Sequence, residues 1–374
     1  MIHFDSVEPR SERSRDALER FERVVSDFVE RLGNLGALAA ISVRGAGQVT
    51  VTAGHSDLEK TRAVQPDDIY QVGSQSKTAV AMALLLMSRD GLLDLDDPVH
   101  RFVDLPIDRR ITVRNLLMNS SGIGECTVGG GPRFDMRLEY TPRDLVALAL
   151  PQGQLFEPGS RFDYCNTGWI VAAMVIEAIS GQPYGEVCDE RIVRPLGLRN
   201  TAFGMRMPDG EPMRGYARLP LVPETIDMTP HLSWAYGAGD GVSNAADILA
   251  FYGSLLRPDS PAGVTLDDLA GHTLKPVAVP FFPMSLGTEY GLGLERRAWA
   301  GREVWGHPGS TGSCRTSTWI DAGLGVGVAT AVTHLWDPAG PPDDLRYPRA
   351  QLFAMALDTA YALAADEDML AVAG

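Results

Sequence analysis

Strand-like segments in this sequence lie near its two ends, with a long stretch of short helices between them. Leu18, Phe21, Val24, Val25, Phe28, Val29 and Leu32 recur at helical spacing, which predicts an amphipathic helix ending near Gly33. Residues 37–44 and 48–53 then read as two strands around the turn Gly45-Ala46-Gly47. Ser74 to Asp90 reads as a helix closed by Gly91; its stretch Val80–Met87 is apolar nearly all round, which assigns it to the core. Further helices are expected over Thr112–Met118, Thr141–Leu150, Thr167–Ile179 and Ala245–Leu256, separated by loops rich in glycine and proline. Strand character returns at Thr316–Ile320 and Gly325–Thr333, joined by Asp321-Ala322-Gly323-Leu324, and a last helix is predicted over Leu345–Ala364. One sheet drawn from both ends must carry the middle of the chain as an insertion. The expected class is α+β: a sheet subdomain from 1–95 and 286–374, and an inserted, mostly helical subdomain from 96–285.

Composition narrows the function. With 45% hydrophobic and 22% charged residues, the 374-residue chain has the make-up of a globular enzyme. Its formal net charge of −15 repels a phosphate backbone or an anionic membrane, so neither is an expected partner. Met1–Arg23 holds no apolar stretch like a secretory signal, and the longest apolar run, Val80–Met87, is too short to span a membrane. If the chain is complete, the expected location is the cytoplasm. Cys126, Cys165, Cys188 and Cys314 have no CxxC spacing and would there be reduced thiols. The seven histidines form no cluster with metal-ligand spacing, and no metal or other cofactor is expected. The oligomeric state is not readable.

The chemistry starts with a scarce residue. Lys60, Lys77 and Lys275 are the only lysines among 33 basic residues, and a lysine does what arginine cannot: it loses a proton. In Ser74-Gln75-Ser76-Lys77 the serine and lysine stand one helical turn apart on the same face. A lysine whose pKa is lowered by burial or a cationic neighbour can take the proton that keeps serine a poor nucleophile. Alone, the pattern equally fits a helix-start serine followed by a solvated lysine.

Two further constellations follow. In Tyr164-Cys165-Asn166 a phenol can act as a proton acceptor beside positive charge, and the amide can hold a substrate amide or ester. In Gly306-His307-Pro308-Gly309-Ser310 the glycines allow an edge strand to approach a ligand, the Ser310 N–H can serve an oxyanion, and His307 can supply a hydrogen bond or charge. Singly, these fit a turn and a surface loop.

Together and in this order, Ser-x-x-Lys, Tyr-x-Asn and His-x-Gly resemble the three active-site motifs of the serine β-lactamase and penicillin-binding-protein superfamily. The likeness is to its class C-like branch of D-alanyl-D-alanine carboxypeptidases, D-amino-acid amidases, family VIII esterases and acyltransferases. Asp68–Gly73, Asp90–Val99, Ile111–Leu117, Ser120-Ser121-Gly122, Pro195–Leu198 and Tyr290-Gly291-Leu292-Gly293 resemble it too, so the likeness runs from about 37 to 335.

The resemblance implies an antiparallel sheet flanked by helices, a helical subdomain, and a site between them. It implies Ser74 as acylated nucleophile, Lys77 as proton shuttle, Tyr164 as general base and leaving-group acid, and Asn166 as substrate-orienting amide. His307 would stand where many relatives carry lysine, on a strand whose Gly309 approaches the ligand. The N–H groups of Ser74 and Ser310 would form the oxyanion hole. Whether Lys77 or Tyr164 is the immediate base stays open. Three departures stand out: Asn119 where the branch usually shows histidine, Pro308 where penicillin-handling relatives often have a hydroxyl, and Cys165 inside the second motif.

The expected reaction is hydrolysis or acyl transfer on a small ester or amide through an acyl-Ser74 intermediate, with a second acyl-acceptor substrate in the transfer case. A β-lactamase or D-Ala-D-Ala carboxypeptidase, and a non-catalytic ligand binder on the same fold, are the alternatives. The loop Cys126–Phe134 is a candidate cleft wall, and His231, Trp234, Tyr236, Trp299 and Trp305 are candidates for an apolar acyl pocket or for core.

Overall fold

The computed structural model describes residues 1–5, 9–44, 46–127, 134–218, 224–229, 232–271, 289–336 and 349–373. Gly45 of the expected turn, 128–133 of the candidate cleft loop, His231, Lys275 and residues 345–348 of the expected last helix lie outside them.

The sheet forms from both ends of the chain. Its strands are β1 (Ile2–Asp5), β2 (Gly36–Val43), β3 (Gly47–Gly54), β4 (Glu289–Tyr290), β5 (Glu295–Trp299), β6 (Arg302–Ser310), β7 (Cys314–Asp321) and β8 (Val326–Thr333). They run in the order β1-β3-β2-β8-β7-β6-β5-β4, each pair antiparallel. β2 is apolar from Gly36 to Ile41 because both its faces are covered. Leu38 and Ala40 face one core, and Ala37, Ala39, Ile41 and Val43 the other, in the period of two that a strand imposes.

The second core is closed by α1 (Glu12–Glu30) and by a long final helix, Arg349–Ala373, called α7 below. α1 begins where the Ser11 hydroxyl accepts the Ser14 N–H at 3.1 Å, and it buries the stripe Leu18, Phe21, Val25 and Phe28. On the opposite face lie α2 (Ser76–Arg89), α3 (Val113–Leu117), α4 (Pro142–Ala149), α5 (Asn166–Ser180) and α6 (Ala245–Ser254). α2 and α5 are apolar on all sides through Ala79–Leu84 and Trp169–Ile176, so they run inside the larger core.

The periodicity reading missed β1, β4, β5 and most of β6. β1 sits within a charged amino terminus, and β6 is interrupted by glycine and proline, both of which mask a period of two. β5 pairs with β6 only as far as Gly306, opposite Glu295. His307–Ser310 keeps β7 as its neighbour in the sheet and has an open edge, where the absent N–H of Pro308 is tolerated.

Candidate active site

The open edge of β6 meets the segment that leads into α2. A Cβ on Gly309 would stand 2.0 Å from the Val72 carbonyl oxygen and 2.3 Å from Thr316 Oγ1; one on Gly73, at φ +59°, would stand 2.6 Å from the Ser310 nitrogen. Only glycine permits so close an approach at both places. Hydrogen bonds fix it: Thr316 Oγ1 donates to the Val72 carbonyl at 2.9 Å and receives the Gln75 amide at 2.9 Å. Ser74, in the single 3₁₀ turn Gly73–Gln75, is thereby held against the strand that carries Ser310. The Ser310 hydroxyl accepts from Arg315 Nη1 at 2.6 Å, and the group that the resemblance assigns to a bound carbonyl here is the backbone N–H.

Lys77 is fully buried. Its Nζ lies 3.0 Å from Ser74 Oγ, 2.9 Å from Asn166 Oδ1 and 2.5 Å from the Ala238 carbonyl. Burial lowers its pKa to about 7, against a smaller upward pull from the Glu125 carboxylate. Ala238 belongs to the loop 237–241, which is tied to α2 by Gly241 N–H donating to Ser76 Oγ at 2.9 Å. The buried carboxylate in that loop, Asp240, receives the Tyr184 hydroxyl, and burial raises its pKa to about 6.

Tyr164 shares a hydrogen bond with the Ser74 side chain, and Lys77 Nζ lies 4.9 Å from its ring centre. Burial holds the phenol well above its usual pKa, so it is protonated at neutral pH. Asn166 opens α5, and a carboxylate from elsewhere caps it. Glu125 Oε2 accepts the Asn166 N–H at 2.6 Å, while Oε1 takes Asn166 Nδ2 at 3.3 Å, Thr127 N–H at 2.9 Å and Thr127 Oγ1 at 2.6 Å.

His307 is buried, with burial as the main cause of a pKa near 4, so its ring is neutral. Nδ1 faces the Pro308 carbonyl at 2.6 Å and must carry the hydrogen, because a carbonyl can only accept. Nε2 is then the acceptor, taking the Tyr290 hydroxyl at 3.0 Å. Both nitrogens have protein partners. The charge or substrate hydrogen bond expected of His307 is therefore not on offer in this arrangement. Tyr290 completes an aromatic triangle, its ring 6.3 Å from Tyr164 and 5.7 Å from His307.

The seven residues singled out from the sequence therefore lie together, where the segment entering α2 meets β6 and the start of α5: Ser74, Lys77, Tyr164, Asn166, His307, Gly309 and Ser310. His307 stands beside Tyr164 as a buried, neutral group. Sequence reasoning missed Glu125 and Ala238 and gave no role to Tyr290, whose signal is its place in the Tyr-Gly-Leu-Gly segment; Asn119, noted as a departure, is a structural member. Cys165 is buried, its thiol lies 3.3 Å from the Ile123 carbonyl, and burial raises its pKa to about 12, which fits a packed thiol and not a nucleophile. Of the aromatic candidates, Trp299 packs on Phe353 in the opposite core and Tyr236 is buried against Tyr184. Trp234 forms a half-buried cluster with Phe134 and Tyr140. Among the described residues no group of three or more His, Cys, Asp or Glu side chains could hold a metal ion, and no helix is long and apolar enough to cross a membrane.

A family model described as Beta-lactamase matches residues 21–354. The D-amino acid amidase from Ochrobactrum anthropi SV3, in a crystal structure with L-phenylalanine amide, is 25% identical and superposes with a TM-score of 0.78 over 92% of this chain and 98% of its own. A D-stereospecific amidohydrolase from Streptomyces sp. is 31% identical, with a TM-score of 0.72 over 89% of this chain and 97% of its own. A D-aminopeptidase of Brucella anthropi is 26% identical over 81% of this chain and 56% of its own length. The chain spans about half to three fifths of the length of the first curated relatives it matches.

Proposed function

The chain belongs to the beta-lactamase family of serine hydrolases, and on that premise we propose that it cleaves amides whose acyl part carries a free ammonium group next to the scissile carbonyl, such as D-amino-acid amides and D-amino-terminal peptides. The observation that carries this reading is the Glu125 carboxylate beside Asn166 and close enough to Lys77 to act on its charge. Its Oε2 accepts, among the described residues, from the Asn166 N–H alone, so it keeps acceptor capacity for a substrate cation beside the amide that would orient the substrate. A D-amino acid amidase and a D-aminopeptidase among the similar proteins carry this substrate class in their names, and a third is a D-stereospecific amidohydrolase, which supports the same class.

In the proposed reaction Lys77 is the immediate base. A neutral amine has two hydrogens; Asn166 Oδ1 and the Ala238 carbonyl can only accept, so they take both and the lone pair is left for the Ser74 O–H. Ser74 Oγ attacks the carbonyl and its proton passes to Lys77. The oxyanion is met by the N–H groups of Ser74 and Ser310. As the carbon–nitrogen bond breaks, the Tyr164 phenol gives its proton to the departing amine and is reprotonated from the Lys77 ammonium. Water then attacks the acyl-Ser74, neutral Lys77 accepts its proton, and the resulting ammonium returns that proton to Ser74 Oγ as serine leaves. An amine or alcohol in place of water would make the reaction a transfer. The same proposal has the site between the sheet subdomain (1–95 and 286–374) and the helical one (96–285).

Neutral His307 gives no cation at the third motif for a carboxylate, which disfavours a penicillin or D-Ala-D-Ala substrate. The test compares kcat/KM for D-phenylalanine amide, its N-acetyl derivative and benzylpenicillin. The free amine is expected to lead by tenfold or more. Equal or better turnover of the acetylated amide or the penicillin would overturn the proposal, and binding without turnover of any of them would leave a non-catalytic member of the fold.

A further inference from the structure

Asn119 grips the chain on both sides of Tyr164. It is buried, with 1% of its surface exposed, and its backbone is left-handed at φ +51°. Its own carbonyl accepts the Asp163 N–H at 2.7 Å, on one side of Tyr164; its side-chain Oδ1 accepts the Cys165 N–H at 3.2 Å, on the other. The same Oδ1 receives the indole N–H of Trp169 at 2.9 Å, and Trp169 is fully buried inside α5. The Asn119 N–H in turn donates to the Leu116 carbonyl at 3.1 Å, anchoring the residue to the end of α3. One residue thus joins α3 and the interior of α5 to the N–H groups of the residues on either side of Tyr164.

This arrangement needs its unusual backbone. The left-handed conformation lets the carbonyl and the side chain of one residue reach the same extended segment from two positions, and asparagine is among the few side chains that adopt it at low cost. Cys165 is extended at φ −144° and ψ 110°, so Asp163–Cys165 has no helical or sheet hydrogen bonds of its own to hold its direction. Asn119 supplies them.

We propose that Asn119 is the positioning residue for Tyr164, aiming the phenol at Ser74 Oγ and the leaving atom without touching the substrate. This rests on the reading of Tyr164 as the proton donor to the leaving group. A displaced donor loses its effect on a poor leaving group, where proton transfer counts for about 100- to 10,000-fold, and costs little where the leaving group departs as a stable anion.

The experiment measures acylation of the full-length protein by D-phenylalanine p-nitroanilide and by p-nitrophenyl acetate, whose phenolate needs no proton. The variants are Asn119→Gly, which keeps the left-handed backbone and removes Oδ1, Asn119→Asp, which keeps an acceptor there, Tyr164→Phe, and the double variant Asn119→Gly/Tyr164→Phe. Melting curves show which are folded. Asn119→Gly is expected to lose about 10- to 100-fold in kcat on the anilide with KM within about twofold, and only severalfold on the ester. Asn119→Asp recovers most of the anilide rate, and the double variant is no slower than Tyr164→Phe alone. Equal losses on anilide and ester, an unchanged anilide rate in Asn119→Gly, or losses that multiply in the double variant would overturn the proposal. If Asn119→Gly does not fold, Asn119→Asp and Asn119→Ser decide by the same rate ratio. A Tyr164→Phe variant with wild-type anilide turnover would instead overturn the underlying reading of Tyr164, a result distinct from all of these.

Discussion

Lys77 Nζ stands 3.0 Å from Ser74 Oγ, and its other two close partners, Asn166 Oδ1 and the Ala238 carbonyl, are both pure acceptors. The pair can exchange a proton in one direction only when the amine is neutral, and burial brings that state within reach of physiological pH.

Acylation is therefore expected to rise with pH through a single ionisation near 7, because protonated Lys77 has no lone pair for the Ser74 proton. A kcat/KM profile on an uncharged ester checks it; a flat profile between pH 6 and 8 would contradict the assignment. Lys77→Arg keeps the charge and cannot lose it, and is expected to lower acylation by about a thousandfold or more. The same depressed pKa has a stability signature. Between pH 10.5 and about 7 the unfolded lysine binds a proton that the buried one does not, so the fold loses stability as pH falls through that window.

Gly309→Ala should separate Ser310 from Ser74. The new Cβ would meet the Val72 carbonyl at 2.0 Å, and backbone has to move. The cost is on the order of 1–3 kcal/mol of stability, with acylation lowered about 100-fold or more as the oxyanion donors part. Denaturant melts and burst kinetics on an ester read both effects; normal burst kinetics would contradict the close approach as the source of the oxyanion hole.

Glu125→Gln keeps an acceptor for the Asn166 N–H and removes the charge. It is expected to reduce the preference for a free amino-acid amide over its N-acetyl derivative by about tenfold, with less effect on the acetylated substrate itself. The ratio of the two kcat/KM values is the readout, and an unchanged ratio would assign Glu125 to capping α5 alone.

Tyr290→Phe removes the hydroxyl that donates to His307 Nε2. The ring packing stays, so the fold should hold, at a cost of about 1–3 kcal/mol for the acceptor left buried without its donor. Thermal or chemical melts test it; a variant as stable as wild type would show that the Nε2 acceptor finds another partner.

The sequence was most legible where chemistry repeats a spacing. Ser74 and Lys77 lie one turn apart, and the all-apolar stretch of α2 announced its burial. The strands beside the site were harder to read, because β6 spells Gly-His-Pro-Gly-Ser and a close backbone approach requires the residues that erase an alternating pattern. Glu125 was silent for another reason. It caps a helix that begins 41 residues later in the chain, a contact no local window contains. His307 was read as a possible charge because its type allows one; its burial against Tyr290 is set by packing that only the fold supplies.

The central claim is covalent catalysis at Ser74, and intact-protein mass after mixing with p-nitrophenyl acetate tests it most directly. Wild type is expected to gain a single acetyl group together with a burst of p-nitrophenol, and Ser74→Ala to show neither. Acetylation of Ser74→Ala at the wild-type rate, or turnover by it, would contradict the account.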